Sequence, residues 1–312
     1  MSDPNALPPA LIRPEPGPAT CKSAPWAGER LRHLRGEGAD GPRIAESWEF
    51  STLAGSESRA LGRALSETIG GALPFLAKLI DTAAPLSIQV HPEDDPAAGR
   101  LGKEEAWVIL DAAEDATLLA GVREGIDDET LDATMRRAIE DPAAGGDRLI
   151  DALERLPVER GMVVLVPAGT VHSIGPGILL AEIQQPTDCT YRLFDYGSDR
   201  PIHPEASRAA WRVGARPNVW RPGDPVRPIR GRHLALDVFE AGDARIEPDG
   251  VPRLLMSVGD GVRVAVDDGA PERLAHGELR LHLRGALRIE VAAGGQLVAG
   301  VTRSPTAGAD GA

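Results

Sequence analysis

Within "PLSIQVHPEDDPAAGRLGKEEAWVIL" (Pro85–Leu110), Gln89 and His91 close one apolar run, and Lys103 and Glu105 open the next. In a strand, residues two apart share a face, so Ser87, Gln89 and His91 project together. A second imidazole, His172, follows the "PAG" turn in "GMVVLVPAGTVHSIG". Gln89, His91, Glu105 and His172 together offer an amide oxygen, a carboxylate and two imidazoles, with no sulfur. That donor set suits zinc, manganese, iron or nickel and leaves positions open for water or substrate. The glutamine leans the choice toward zinc.

These residues need strands to hold them. Alternation predicts strands over "RIAESWEFS", "LPFLAKLID", "PLSIQVH", "EAWVILDA", "ATLLAGV", "GILLAEIQQ" and "TYRLFDYG", with a strand–turn–strand at "GMVVLVPAGTVHSIG". "LGRALSETIGG" reads as a short helix ending at glycine, and Pro204–Arg212 as another. Leu131, Met135 and Ile139 share one helical face, with Asp127 or Asp128 as N-cap. A second helix is expected through Leu149, Leu153 and Leu156. After "VWRPGDPVRPIRG", His233–Thr302 reads as short strands and glycine turns. The fold class is therefore mostly β, a barrel or sandwich with a helical insert around 125–157. The expected division is 1–215, carrying the chemistry, and 216–312, a smaller C-terminal β domain. The proline-rich first twenty residues are expected to be ordered by docking.

Composition narrows the function. The 312 residues are 42% hydrophobic and 26% charged, with a net charge of −13. That charge argues against a nucleic-acid or anionic-membrane partner. An anion must then be bound by a local cluster of donors. The two cysteines, Cys21 and Cys189, form no CxxC pair, so neither a disulfide framework nor a thiolate metal site is expected. The start lacks a basic, then apolar, leader, and a cytoplasmic protein is expected. Arginine supplies nearly all the basic charge: the lysines are Lys22, Lys78 and Lys103 alone.

The Gly161–His172 stretch resembles the second cupin motif: glycine, five residues, Pro-x-Gly, two residues, histidine. With "ESWEFS", "LSIQVHPEDD", "GKEEAWVIL", "PAGTVHSIGPGILLAEIQQPTD" and "TYRLFDYG" in order, Trp26 to Trp211 resembles the type I mannose-6-phosphate isomerases in their short bacterial form. The resemblance implies a cupin (jelly-roll) barrel, and one Zn²⁺ per chain held by Gln89, His91, Glu105 and His172. It places the family's arginine at Arg192 and makes Glu105, rather than Glu104, the ligand. Two departures from the family pattern are Ala27 in "APWAGERL" and the lack of the asparagine that often ends the second motif.

The implied reaction interconverts mannose 6-phosphate and fructose 6-phosphate through a cis-enediol. Arg192 would stabilise the enediolate from the barrel-facing side of its strand. Its rival reading is a salt bridge to Asp188 or Asp195. Glu182, a carboxylate inside an apolar strand, would act as general acid or base, or would orient a neighbour. Lys103 and Ser87 are the phosphate candidates, with Lys78 behind them, and Glu46 and Trp48 would line the sugar pocket. Competing functions are another cupin phosphosugar isomerase, a non-catalytic sugar-binding cupin and a dioxygenase. The oligomeric state stays open between monomer and dimer.

Overall fold

A computed structural model describes residues 8–35 and 41–303. The first seven of the proline-rich N-terminal residues lie outside the described ones. The architecture is layered around one antiparallel sheet of seven strands. In chain order its strands are β1 (Cys21–Lys22), β2 (Glu46–Phe50), β3 (Leu76–Asp81), β5 (Glu105–Ala112), β8 (Val163–Val166), β10 (Ile178–Gln184) and β12 (Asn218–Trp220), in the spatial order β12-β8-β5-β10-β3-β2-β1. A five-stranded sheet is built from β4 (Ile88–Val90), β6 (Thr117–Val122), β7 (Leu153–Pro157), β9 (His172–Ile174) and β11 (Tyr191–Phe194), in the order β7-β6-β9-β4-β11. The two sheets share the core formed by Ile80, Trp107, Ile109 and Leu180 with Leu118 and Ile174. This is the expected mostly β, cupin-type jelly roll.

The opposite face of the seven-stranded sheet is also buried. Ala77, Leu79, Ala106, Val108, Leu110 and Ile183 pack there against Leu234, Leu236, Leu254 and Val298 of a C-terminal six-stranded sheet. That sheet in turn packs on a four-stranded one through Leu255, Leu297, Val264 and Ile289. Two strands depart from a simple division by sequence. Leu11–Ile12 pairs with Leu279–His282 in the C-terminal sheet, and β12 pairs with β8 in the seven-stranded sheet. A sheet covered on both faces needs apolar residues at nearly every position, which explains the unbroken run "AWVIL".

The helical insert covers the outer face of the five-stranded sheet. Helix α1 (Asp128–Glu140) starts where the Asp127 side chain accepts from the Thr130 amide at 2.8 Å. Leu131 and Met135 pack on Val122, Leu193 and Phe194. Helix α2 (Pro142–Asp151) lies so close that a Cβ at Gly146 would come within 2.8 Å of the Phe194 ring. The expected continuation of α2 through Leu153 and Leu156 does not occur. Ala152 closes the helix, its carbonyl accepting from the Arg123 amide at 2.9 Å. Leu153–Pro157 then pairs with β6. The open edge of β6 offers a full row of backbone partners, and that outweighs the i, i+3 spacing of the leucines. Leu153 joins the helix-side core and Leu156 the inter-sheet core, on opposite faces as in a strand. The shorter helix Leu65–Ile69 and α3 (Pro204–Ala210) form where expected.

Glu104 immediately precedes β5 and Glu105 opens it, and alternation sends the two to opposite cores. Glu105, Trp107 and Ile109 face the five-stranded sheet, whereas Glu104, Ala106 and Val108 face the C-terminal sheet. The buried Glu104 carboxylate accepts three backbone amides: His233 and Leu234 at 2.8 Å each and Arg232 at 3.0 Å. No side chain fits at Gly231, where a Cβ would lie 2.3 Å from that carboxylate. Hydrogen bonds to a charged acceptor contribute about 1.5–3 kcal/mol each, and orphaned buried amides add a penalty. Glu104→Ala is expected to lower unfolding free energy by at least about 3 kcal/mol in urea titrations, and Glu104→Gln, which keeps one carbonyl oxygen, by less.

Candidate active site

The inward face of the seven-stranded sheet carries its polar residues along one row. Glu182 on β10, Lys78 on β3 and Trp48 on β2 occupy it in line with Trp107 on β5, and Glu105 lies two residues before Trp107 on the same face. Glu182 sits opposite Lys78, and Lys78 opposite Trp48, in the strand register. Gln89 on β4 and His172 on β9 come from the facing sheet, where they are directly paired. His91 follows β4, and Lys103 leads into β5. Lys103 is fixed by a tight loop in which the Asp94 carboxylate accepts from the Gly102 amide at 2.6 Å. A Cβ at Gly102 would meet the Asp94 amide at 2.5 Å, so the loop closes only around glycine.

His91, Glu105 and His172 form a group able to hold a metal ion. Their tautomers follow from their partners. The Nδ1 of His172 lies 2.9 Å from the Thr170 carbonyl, and that of His91 lies 2.9 Å from the Cys189 carbonyl. A carbonyl only accepts, so each Nδ1 carries the hydrogen and each Nε2 presents a lone pair. Both rings stay neutral: burial, then the Lys103 ammonium, push His91 down to about 3, and burial lowers His172 as well. The two lone pairs face the Glu105 carboxylate, with His91 Nε2 3.3 Å from Oε2 and His172 Nε2 3.2 Å from Oε1. Glu105 Oε1 is buried and receives no hydrogen bond. Burial opposes ionisation of Glu105, yet the Lys103 ammonium holds its carboxyl well below the usual range. The Lys103 ammonium reaches Glu105 Oε2 and His91 Nε2 but leaves Glu105 Oε1 without a hydrogen bond, and three electron-rich groups converge there, so the donor set fits a metal.

Gln89 borders this group. Its amide nitrogen lies 3.1 Å from His172 Nε2, and its oxygen accepts from Ser87 at 3.1 Å. Lys103 does not project freely. Its ammonium lies 2.6 Å from Glu105 Oε2 and 3.2 Å from His91 Nε2.

Beyond the cluster opens a cavity of about 460 Å³. Ser87, Gln89, Lys103, Glu182 and Arg192 line it, together with Lys78, Glu46 and Trp48. Glu182 is buried among charges. Trp107 Nε1 donates to its Oε2 at 3.0 Å, and its Oε1 has no hydrogen-bond partner. Burial, reinforced by Glu105 and Glu46, outweighs Lys103 and Lys78 and pushes it up to about 7. Burial alone would lower Lys78, but Glu46 at 3.5 Å, Glu182 at 3.7 Å and Asp188 at 3.4 Å raise it.

Arg192 pairs with Gln89 in the register of β11 and β4, and a bulge interrupts the strand between Arg192 and Phe194. The expected alternation of Thr190, Arg192 and Phe194 against Leu193 therefore breaks: Leu193 and Phe194 both enter the helix-side core, while Thr190 and Arg192 reach the cavity. Neither salt bridge of the rival reading forms. Asp195 pairs with Arg200, and Asp188 lies beside Lys78. Among the described residues Arg192 has no carboxylate partner, its guanidinium reaching only the Pro201 carbonyl at 3.4 Å.

Sequence reasoning missed Lys22, Ser56, Arg200 and His203, which also line the cavity. For Lys22 the signal was available: all three lysines of the chain meet in this one cavity.

The jelly roll with a His–Glu–His group at its inward strand ends defines a cupin with a metal-capable site. Residues 43–120 match the catalytic domain of type I phosphomannose isomerase. The chain is 34% identical over 206 residues to the probable mannose-6-phosphate isomerase GmuF of Bacillus subtilis, and 30% identical over 223 residues to the mannose-6-phosphate isomerase of Streptococcus mutans. Those matches take in 58% and 62% of this chain, and span only 62% and 66% of the two relatives. The fold matches the crystal structure of the Bacillus subtilis mannose 6-phosphate isomerase with a TM-score of 0.71 at 23% identity, over 93% of this chain and 99% of that one. A mannose 6-phosphate isomerase structure bound with zinc and yttrium also shares the fold, with a TM-score of 0.62 at 14% identity, over 95% of this chain and 100% of that one. The chain is thus similar to the type I phosphomannose isomerases, in sequence over part of its length and in fold over nearly all of it. Among the described residues, no helix is long and apolar enough to cross a membrane.

The raised Glu182 makes stability depend on pH. The neutral carboxyl is favoured in the folded state, so its contribution is full below the ordinary carboxylate value and is lost as pH rises through about 7. In metal-free protein, Glu182→Gln should therefore melt close to wild type near pH ~4, gain on it as pH rises from ~4.5 to ~7, and keep that gain at higher pH. Melting curves across that range that stay parallel would contradict this environment for Glu182.

Proposed function

We propose that the protein is a metal-dependent aldose–ketose isomerase that interconverts mannose 6-phosphate and fructose 6-phosphate through a cis-enediol. The observation that carries the reading is the convergence of His91, Glu105 and His172 behind a cavity whose lining includes Gln89, Lys103 and Glu182, a carboxyl held near neutrality. Zn²⁺, one per chain, would be held by these three residues and by Gln89. Turning the Gln89 amide by half a rotation exchanges its nitrogen for its oxygen, with Ser87 still in reach to orient it. When bound, the ion supplies charge stabilisation for an oxyanion developing beside the carbonyl.

The remaining work falls to the chain. Moving a proton between C2 and C1 requires a group that both takes and returns it near neutral pH. Glu182 meets that requirement: Trp107 donates to one oxygen, and the other accepts no hydrogen bond. Arg192 brings a planar donor fork uncommitted to any carboxylate, suited to the enediolate oxygens. Lys103 neutralises Glu105 and holds it against His91. Trp26, Trp48, Ile80, Leu86 and Ile174 give the cavity an apolar wall that keeps bulk water from the enediol. Residues 1–215 would carry this chemistry and 216–312 would support the sheet from behind.

A coupled assay with purified protein should show conversion of mannose 6-phosphate, loss of activity with chelator and recovery with zinc. Sustained turnover of metal-stripped protein would refute the metal assignment, and absence of any turnover would favour a sugar-binding cupin. His91→Ala and His172→Ala should each lose stoichiometric zinc in elemental analysis, while the exposed His33→Ala keeps it. Arg192→Ala should retain zinc and melting temperature but lower kcat by roughly a hundredfold, the scale of losing one oxyanion donor. Arg192→Lys should recover little, because a point charge does not reproduce the fork. Normal kcat in Arg192→Ala would remove the residue from the mechanism.

A further inference from the structure

Three ammonium groups enter the cavity, and two are already committed. Lys103 is bound to Glu105, and Lys78 sits among Glu46, Glu182 and Asp188. Lys22 differs. Its ammonium donates to the Ala19 carbonyl at 2.9 Å and to the Ser56 hydroxyl at 3.0 Å, and it has no carboxylate partner among the described residues. It lies over the Trp48 ring, 5.2 Å from the centroid, while Lys78 approaches the same ring at 4.7 Å. The uncommitted cation and a committed one therefore share one indole. Lys22 stands on β1, the edge strand of the sheet, three strands beyond Glu182 at about 4.8 Å per step. The proton-transfer group and the uncommitted lysine thus occupy opposite ends of one cavity.

We infer that Lys22, with the Ser56 hydroxyl, anchors the phosphate monoester of the sugar substrate at the outer end of the cavity. This inference rests on the isomerase reading and names the residues that make it phosphate-dependent. A phosphate dianion needs positive charge that is not already neutralised, and hydroxyl donors beside it. At the inner end, the ammonium of Lys103 is 2.6 Å from a carboxylate, so a phosphate there would face the Glu105 anion as well. Lys22 presents an ammonium and a hydroxyl 3.0 Å apart; Glu46 is its cross-strand neighbour, but among the described residues no carboxylate oxygen pairs with the ammonium. Trp48, its Nε1 donating to Glu46 at 2.9 Å, lines the cavity beside that anchor.

The test uses full-length, zinc-loaded wild type, Lys22→Met, Lys22→Arg and Ser56→Ala. Calorimetry is run with fructose 6-phosphate, inorganic phosphate and unphosphorylated fructose, and turnover with mannose 6-phosphate. Lys22→Met should weaken binding of fructose 6-phosphate and of inorganic phosphate by about tenfold or more. The loss in turnover should fall on KM rather than kcat, with zinc content and melting temperature at wild-type values. Lys22→Arg should restore most of the binding, and Ser56→Ala should cost less than Lys22→Met. Unchanged phosphate binding in Lys22→Met overturns the inference, as does a lowered melting temperature with a matching loss of kcat. So does wild type that binds neither phosphate compound. If wild type binds fructose 6-phosphate in a Lys22-dependent way but never isomerises it, the anchor stands and the isomerase reading fails.

Discussion

Everything in this structure is arranged around a carboxylate buried against two imidazole lone pairs. Glu105 is almost completely withdrawn from water, and its neighbours His91 and His172 have spent their hydrogens on backbone carbonyls. An arrangement of this kind costs free energy unless positive charge compensates it. Lys103 supplies part of that charge. The carboxylates farther along the row are balanced by Lys78 in the same way. The result is an alternation of anion and cation across the inward face of one sheet, with each buried charge within 4 Å of an opposite one.

A sheet between two cores makes such a row possible. If the C-terminal sheet did not cover its other side, alternate residues of β5 would face water and a strand such as "EAWVIL" would be an aggregation hazard. Covering both faces turns every residue into an interior one and holds the strand ends in fixed register. The same covering produces the contrast between Glu104 and Glu105. They are chemically identical neighbours with unrelated tasks, separated only by the pleat.

Much of this could be read from the sequence because its signals are periodic or local. The i, i+2 spacing of Ser87, Gln89 and His91 puts them together, and the Pro-x-Gly turn sets His172 at the end of its strand. The departures come from tertiary pairing. Leu153 and Leu156 have helical spacing, but an open strand edge recruits them, and no local pattern reveals that edge. The bulge after Arg192 shifts Phe194 away from the cavity for a similar reason. The commitment of Lys103 to Glu105 depends on a loop closure around Gly102 that spacing does not encode. Lys22 lies too far along the chain for any motif to join it to the site, although the scarcity of lysine pointed to it. Glu104 appeared only as the residue passed over in favour of Glu105, because its partners are backbone amides more than a hundred positions away.

That last separation bears on how the molecule is made. Residues 232–234 leave the ribosome long after β5, so a growing chain holds Glu104 for some time with none of the amides that will receive it. During that interval the neighbouring Glu105 has no settled strand beneath it, and its imidazole partners have no fixed point on which to converge. The strand that carries Glu105 is thus clasped, one residue earlier, by a segment more than a hundred positions further along the chain.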